Sequence, residues 1–267
     1  MILPNMQLSE SEYNLLTKYH SEVTERSFGS EAIVTQNGMY AEKIFRATFG
    51  KFRITPEKIE QIRENKFHKV VDLFKMGDTF PNQVKPLHTY SYQGKFVGYR
   101  TGWSASPLME KIKVSLDRDF CIIVLKKIRE KLSEFHQLGI IYGDIKDNNI
   151  FVAIDSGEVV IDFGDLDNMK VGDYAIDAFN KFSAEFVKDY GKVDEKLDSY
   201  MCNLLTLEYL NNCKWWYDDV VRNLEIGRLP GELNMPNNRN KSKVLIREMV
   251  QVTPQYSGDY FIDLIDY

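Results

Sequence analysis

The sequence predicts an α+β fold in two parts, a β-rich N-terminal part with one prominent helix and a mainly helical C-terminal part. Three observations predict it. Two apolar runs flank Asn37-Gly38, the strongest short-range signal of a hairpin, because both residues tolerate positive φ. After Trp103 the apolar residues recur at helical spacing. Inside this helical part a short polar hairpin separates two acidic segments. The expected division is a β-rich lobe over 1–101 and a mainly helical lobe over 102–267, together forming one domain.

The elements follow in order. Residues 9–20 predict a short helix, with Ser9 as N-cap before acidic residues. The runs Ala32–Thr35 and Tyr40–Phe45 form the first hairpin. Thr55-Pro56-Glu57 opens a helix, with Thr as N-cap, Pro in the first turn and an acid at the positive end of the dipole. That helix is expected to reach Asn65, with Ile59 and Ile62 inward. Gln83–Tyr92 and Lys95–Tyr99 are strands joined at Gln93-Gly94. Asp119–Leu138 is a long amphipathic helix, with Phe120, Ile123, Val124, Ile128, Leu132 and Phe135 on its apolar face. Ile150–Val152 and Val159–Ile161 are short strands around a turn at Asp155-Ser156-Gly157. Beyond Asp194 the pattern is helical, most clearly over Leu197–Leu210.

Composition narrows the function classes. With 267 residues and 43% apolar content, the chain can bury one sizeable core or two lobes. A net charge of −5 gives no basic excess to attract nucleic acid or an anionic membrane. The first residues carry neither the basic start nor the apolar run of a signal peptide, and no apolar run is long enough to span a bilayer. A cytoplasmic enzyme is expected. Cys121, Cys202 and Cys213 are widely spaced, without a CxxC pair, and the first two lie in apolar surroundings that suit reduced core thiols.

The chemistry lies between His136 and Asp165. A long helix ends at Leu138-Gly139, and a polar loop follows with Asp144, Lys146, Asp147, Asn148 and Asn149. The hairpin then returns the chain to Asp162-Phe163-Gly164-Asp165 and folds Asn149 towards Asp162. A carboxylate with an amide oxygen is a hard-oxygen site suited to Mg²⁺ carrying phosphates. Lys146 is placed to neutralise a transferred phosphate, and Asp144 to accept a hydroxyl proton.

This segment resembles the catalytic core of eukaryotic-like protein kinases. Tyr142-Gly143-Asp144-Ile145-Lys146-Asp147-Asn148-Asn149 stands where that family has its HRDxKxxN loop, and Asp162-Phe163-Gly164 is similar to its DFG triplet, 13 residues after Asn149. The resemblance implies a bilobal kinase-like fold and transfer of the γ-phosphoryl group of ATP to a Ser or Thr hydroxyl of a protein substrate. It implies Asp144 as catalytic base, Lys146 on the γ-phosphate, and Asn149 and Asp162 on Mg²⁺. Ala41-Glu42-Lys43 resembles the A-x-K of the third kinase strand, so Lys43 would grip the α- and β-phosphates. Gly29 to Val34 resembles the end of the glycine-rich loop, with Gly29 and Val34 towards the nucleotide. Glu60 is the expected glutamate partner of Lys43, with Glu57 and Glu64 as alternatives. Asp198-Ser199-Tyr200 resembles the start of a helix whose Asp anchors the catalytic-loop backbone.

The pattern also departs from that family. Ser27 and Ala32 occupy the outer glycine positions of the nucleotide loop. Gly143 replaces the Arg that in many kinases meets a phosphorylated loop, which implies activity without such phosphorylation. No APE triplet is present; Ser183-Ala184-Glu185 is nearest. Gly143-Asp144 also occurs in aminoglycoside- and choline-type small-molecule kinases, although Lys146 favours the protein class. A third alternative is a catalytically weak pseudokinase serving as a nucleotide-binding module. Such proteins usually lose the base, the strand lysine or the DFG aspartate, and this chain keeps all three. His136 is expected to be structural.

Overall fold

The computed structural model describes residues 2–23, 32–46, 55–102, 104, 109, 118–177 and 181–210. Gly29, Ser27, Cys213 and the aromatic residues Trp215, Trp216 and Tyr217 lie outside the described residues. The fold is mixed α/β, with an N-terminal sheet followed by helices. The chain divides into two compact units, Met1–Ala105 with Val171–Asp177, and Ser106–Lys170 with Ala178–Tyr267. Among the described residues, no helix is long and apolar enough to cross a membrane.

The first unit is built on a five-stranded sheet of order β1-β4-β5-β3-β2. Its strands are β1 (Asn5–Leu8), β2 (Ala32–Asn37), β3 (Tyr40–Phe45), β4 (Pro86–Tyr92) and β5 (Lys95–Gly102). The β2–β3 hairpin forms as expected. Its ladder closes at Asn37 and Tyr40, so the tip is Gly38-Met39, with positive φ at Gly38. At the β4–β5 turn both Gln93 and Gly94 take positive φ, the pattern of a two-residue loop that matches strand twist. β1 was not foreseen. It lies parallel to β4, with Asn5 opposite Thr89, and parallel partners far apart in sequence leave no local turn signal.

Both helices expected in this unit form, and they cover the two apolar faces of the sheet. On one face Phe45, Tyr99 and Ala32 pack with Val70, Val71 and Phe74 of α2 (Pro56–Met76). On the other, Ile44, Tyr90, Val97 and Leu8 pack with Tyr13 and Leu16 of α1 (Glu10–Val23), whose Tyr13 ring stacks on Tyr92 at 4.3 Å. α1 starts with a reciprocal cap in which the Ser9 backbone N–H donates to Glu12 and the Glu12 N–H donates to Ser9 Oγ. α2 starts at the expected Thr55 cap with Pro56 in its first turn. It runs well past Asn65, to Met76.

In the second unit, α3 (Arg118–Gln137) buries Cys121, Val124, Leu125, Ile128, Leu132 and Phe135. Ile123, expected on that face, is exposed, and Leu125 takes its place inside. α3 packs against α5 (Glu195–Leu210) and strand β8. β6 (Ile140–Ile141) leads into the polar loop, a 3₁₀ turn spans Asp147–Asn149, and β7 (Ile150–Asp155) with β8 (Glu158–Phe163) forms the expected hairpin, turning at Ser156-Gly157. A second 3₁₀ turn (Leu166–Asn168), β9 (Lys170–Val171), whose Val171 belongs to the first unit, and α4 (Lys181–Tyr190) lie between this hairpin and α5.

Candidate active site

The polar loop is fixed first through its backbone. Asp198, in the first turn of α5, is fully buried. Its Oδ2 accepts the Tyr142 N–H at 2.8 Å and its Oδ1 the Gly143 N–H at 2.6 Å. His136 Nε2 lies 2.9 Å from Oδ2 on the remaining side, the structural role expected of this histidine. A carboxylate receiving several donors is a strong anchor, because charge-assisted hydrogen bonds are worth more than neutral ones. Gly143 takes φ 72°, a conformation open to glycine at little cost. Its carbonyl accepts a 2.9 Å hydrogen bond from the buried Ser183 hydroxyl on α4.

The same loop presents the chemistry. Asp144 is buried, and Lys146 Nζ lies 2.8 Å from its Oδ2. Asn149 Nδ2 donates to that oxygen at 2.9 Å and to the Asp144 carbonyl at 3.2 Å. One carboxylate is thus held by a cation and an amide on the two sides of a single 3₁₀ turn. With its nitrogen on Asp144, Asn149 leaves its amide oxygen as the group a cation would meet. The hairpin register places Phe151 opposite Asp162, and the Gly164 N–H donates to the Asn149 carbonyl at 2.8 Å. Asp162 is therefore carried to the neighbourhood of Asn149 by two paired strands, and it too is buried. Asp144, Lys146, Asn149 and Asp162 all belong to the second unit.

Tyr142 was not singled out from sequence, yet it ties the two acidic segments together. Its hydroxyl donates to the Gly164 carbonyl at 2.7 Å, and its ring lies 4.5 Å from that of Phe163, which in turn meets Phe135 at 5.5 Å. Burial, with the nearby Asp144 carboxylate, pushes the Tyr142 hydroxyl well above its ordinary range and keeps it a donor. Its position just before Gly143-Asp144 was the available signal. Ser183 was visible only as part of a Ser-Ala-Glu triplet, and its hydrogen bond gives that triplet a first physical role.

Lys43 and Val34 belong to the first unit. They are direct cross-strand partners and so share one face of β2–β3, the face on which Phe45 packs towards α2. Lys43 is buried, with its ammonium 5.7 Å from the Phe45 ring centroid and 5.9 Å from that of Tyr99. Glu60 lies on α2. Its side chain is 42% exposed and pairs with Arg63 at 3.5 Å and Lys95 at 3.3 Å. At about 100° per residue, Glu60 stands roughly a quarter-turn or more away from the stripe of Ile59, Lys66, Val70 and Leu73. Glu57 and Glu64 are exposed as well. The buried polar side chains of α2 are lysines, Lys66 and Lys69.

Behind Lys43, on the opposite face of β3, Glu42 accepts hydrogen bonds from Arg100, Tyr90 and Asn37. Burial opposes ionisation of Glu42, but these donors outweigh it and hold its carboxyl below the usual range. Cys121 and Cys202 are buried free thiols, as expected. Compared with known proteins, the chain matches no family model and no curated sequence.

Proposed function

We propose that this chain is a kinase-like phosphotransferase of bilobal design that moves the γ-phosphoryl group of ATP to a Ser or Thr hydroxyl of a protein substrate. The observation that carries the reading is the Asp144 carboxylate, held between Lys146 and Asn149 on a loop whose backbone hangs from Asp198. A buried, oriented carboxylate beside a cation suits removal of a proton from an alcohol while negative charge is being moved on phosphate. In the step proposed, the acceptor hydroxyl gives its proton to Asp144 as its oxygen bonds to the γ-phosphorus. The bond from that phosphorus to the β–γ bridging oxygen breaks, and ADP leaves. Lys146 offsets charge on the moving phosphoryl group.

Asn149 and Asp162 are hard oxygen donors on adjoining strand ends, a set that suits Mg²⁺ carried by nucleotide phosphates. Mg²⁺ would neutralise phosphate charge there. Lys43 and Val34 share the strand face that would meet the nucleotide.

The test is transfer of radiolabel from γ-labelled ATP with Mg²⁺. A generic Ser/Thr-rich protein is set against a panel of aminoglycosides, choline and simple alcohols. The proposal expects label on Ser or Thr of the protein. Label on a small alcohol alone would replace it with the small-molecule reading, and nucleotide binding without any transfer would replace it with the binding-module reading.

A further inference from the structure

The chain after Asp162-Phe163-Gly164 returns to the first unit at Val171–Asp177, and there it is fastened to α2. Lys69 and Asp177 form an ion pair of 2.7 Å, with the two side chains 0% and 5% exposed. Asn65 Nδ2 donates to the other Asp177 oxygen at 3.3 Å. The His68 ring stacks on Tyr174, with centroids 5.1 Å apart and planes 5° from parallel. Asn65, His68 and Lys69 stand at positions i, i+3 and i+4, so one face of α2 makes all three contacts. Within the segment, Val171 and Tyr174 exchange both backbone hydrogen bonds, at 3.1 and 3.0 Å, which closes it into a tight turn.

We propose that this Lys69–Asp177 clamp, completed by Asn65 and the His68–Tyr174 stack, is the device by which α2 positions the segment after Asp162-Phe163-Gly164 for phosphoryl transfer. The inference rests on the kinase-like reading above. Three facts converge on it. A buried ion pair broken on one side leaves a buried charge without its partner, so the clamp resists partial opening. Glu57 and Glu64 of α2 are exposed and Glu60 pairs with Arg63 and Lys95, while Lys69, one of its two buried lysines, holds this segment. Only eight residues separate Asp162 from Val171, which limits how far one can move without the other. Lys69 and Asp177 touch no reacting atom in this account, and both are positioning residues.

The experiment uses the full chain and two readouts, hydrogen exchange of residues 171–177 and steady-state phosphotransfer. Lys69→Met and Asp177→Asn each remove one charge. Both should raise exchange in 171–177 at least tenfold and leave β3–β5 within twofold. Both should lower kcat at least tenfold with KM for ATP within threefold, while Lys69→Arg, which keeps the charge, should retain at least a third of wild-type kcat. Tyr174→Ala leaves no buried charge and keeps the test open if the charge variants do not fold; its 171–177 exchange should rise at least threefold. Unchanged exchange in these variants would overturn the clamp. Loosened exchange with unchanged kcat would overturn its positioning role. A wild-type chain that exchanges as described but transfers no phosphate would instead defeat the kinase-like reading and, with it, the positioning claim, leaving the clamp as structure alone.

Discussion

Asp198 takes donors from Tyr142, Gly143 and His136 while fully buried, so the start of the polar loop hangs from one carboxylate. Asp198→Asn keeps the size but turns an amide NH₂ towards a backbone N–H that needs an acceptor. A buried donor left unsatisfied costs about 1–3 kcal/mol, so the variant should melt several degrees lower and lose at least tenfold in transfer rate. Thermal denaturation with initial-rate assays checks both, and a stable variant with a normal rate would show that the loop is held by other means. A second residue-scale effect concerns acid. The folded-state pKa of Glu42 lies below its ordinary 4.5, so its ionisation stabilises the fold above that value, and the contribution is lost as pH falls below it. Melting curves between pH 7 and pH 3 should fall more steeply for the wild type than for Glu42→Gln. Parallel curves would contradict the assignment.

At the scale of elements, β3 and β5 approach so closely at Ile44 and Gly98 that a Cβ on Gly98 would collide with the Lys43 carbonyl. The clash is with backbone, which cannot swing away. Gly98→Ala should therefore cost about 2 kcal/mol and lower Tm by about 4–8 °C. Because β3 carries Lys43, the same change should weaken ATP binding more than a destabilising change in β1 does; calorimetry on Gly98→Ala beside such a control decides it. The segment after Asp162 gives a further expectation. Gly143 offers no guanidinium to a phosphate, and Asp177 already supplies the anion that α2 holds. Phosphatase treatment should leave the initial rate within about twofold, roughly 0.4 kcal/mol in barrier. A tenfold loss, restored by rephosphorylation mapped within 165–197, would contradict this. Hairpins and caps were legible in sequence because their chemistry is local: Asn-Gly, Gln-Gly, Ser-Gly and Thr-Pro-Glu each specify a turn or a start. The second half of α2 was not, because Lys66 and Lys69 interrupt the apolar stripe on the buried face and so hide its period.

Across the molecule, the loop-and-hairpin site of the second unit was legible because its residues lie within some thirty positions of one another, and order and spacing suffice to place them. What joins distant parts of the chain was not legible. β1 beside β4, Asp177 on α2, and Ser183 on the Gly143 carbonyl are pairings that no local pattern encodes. In the proposed reaction Asp144 acts in chemistry and not in holding nucleotide. Asp144→Asn keeps the shape of the loop and an oxygen for Lys146, but an amide cannot take the hydroxyl proton. The most direct measurement pairs calorimetric titration of Mg·ATP with single-turnover transfer on this one variant. ATP affinity should stay within about threefold of wild type, under about 0.7 kcal/mol, with transfer lowered by at least a hundredfold. Near wild-type turnover in Asp144→Asn would contradict it.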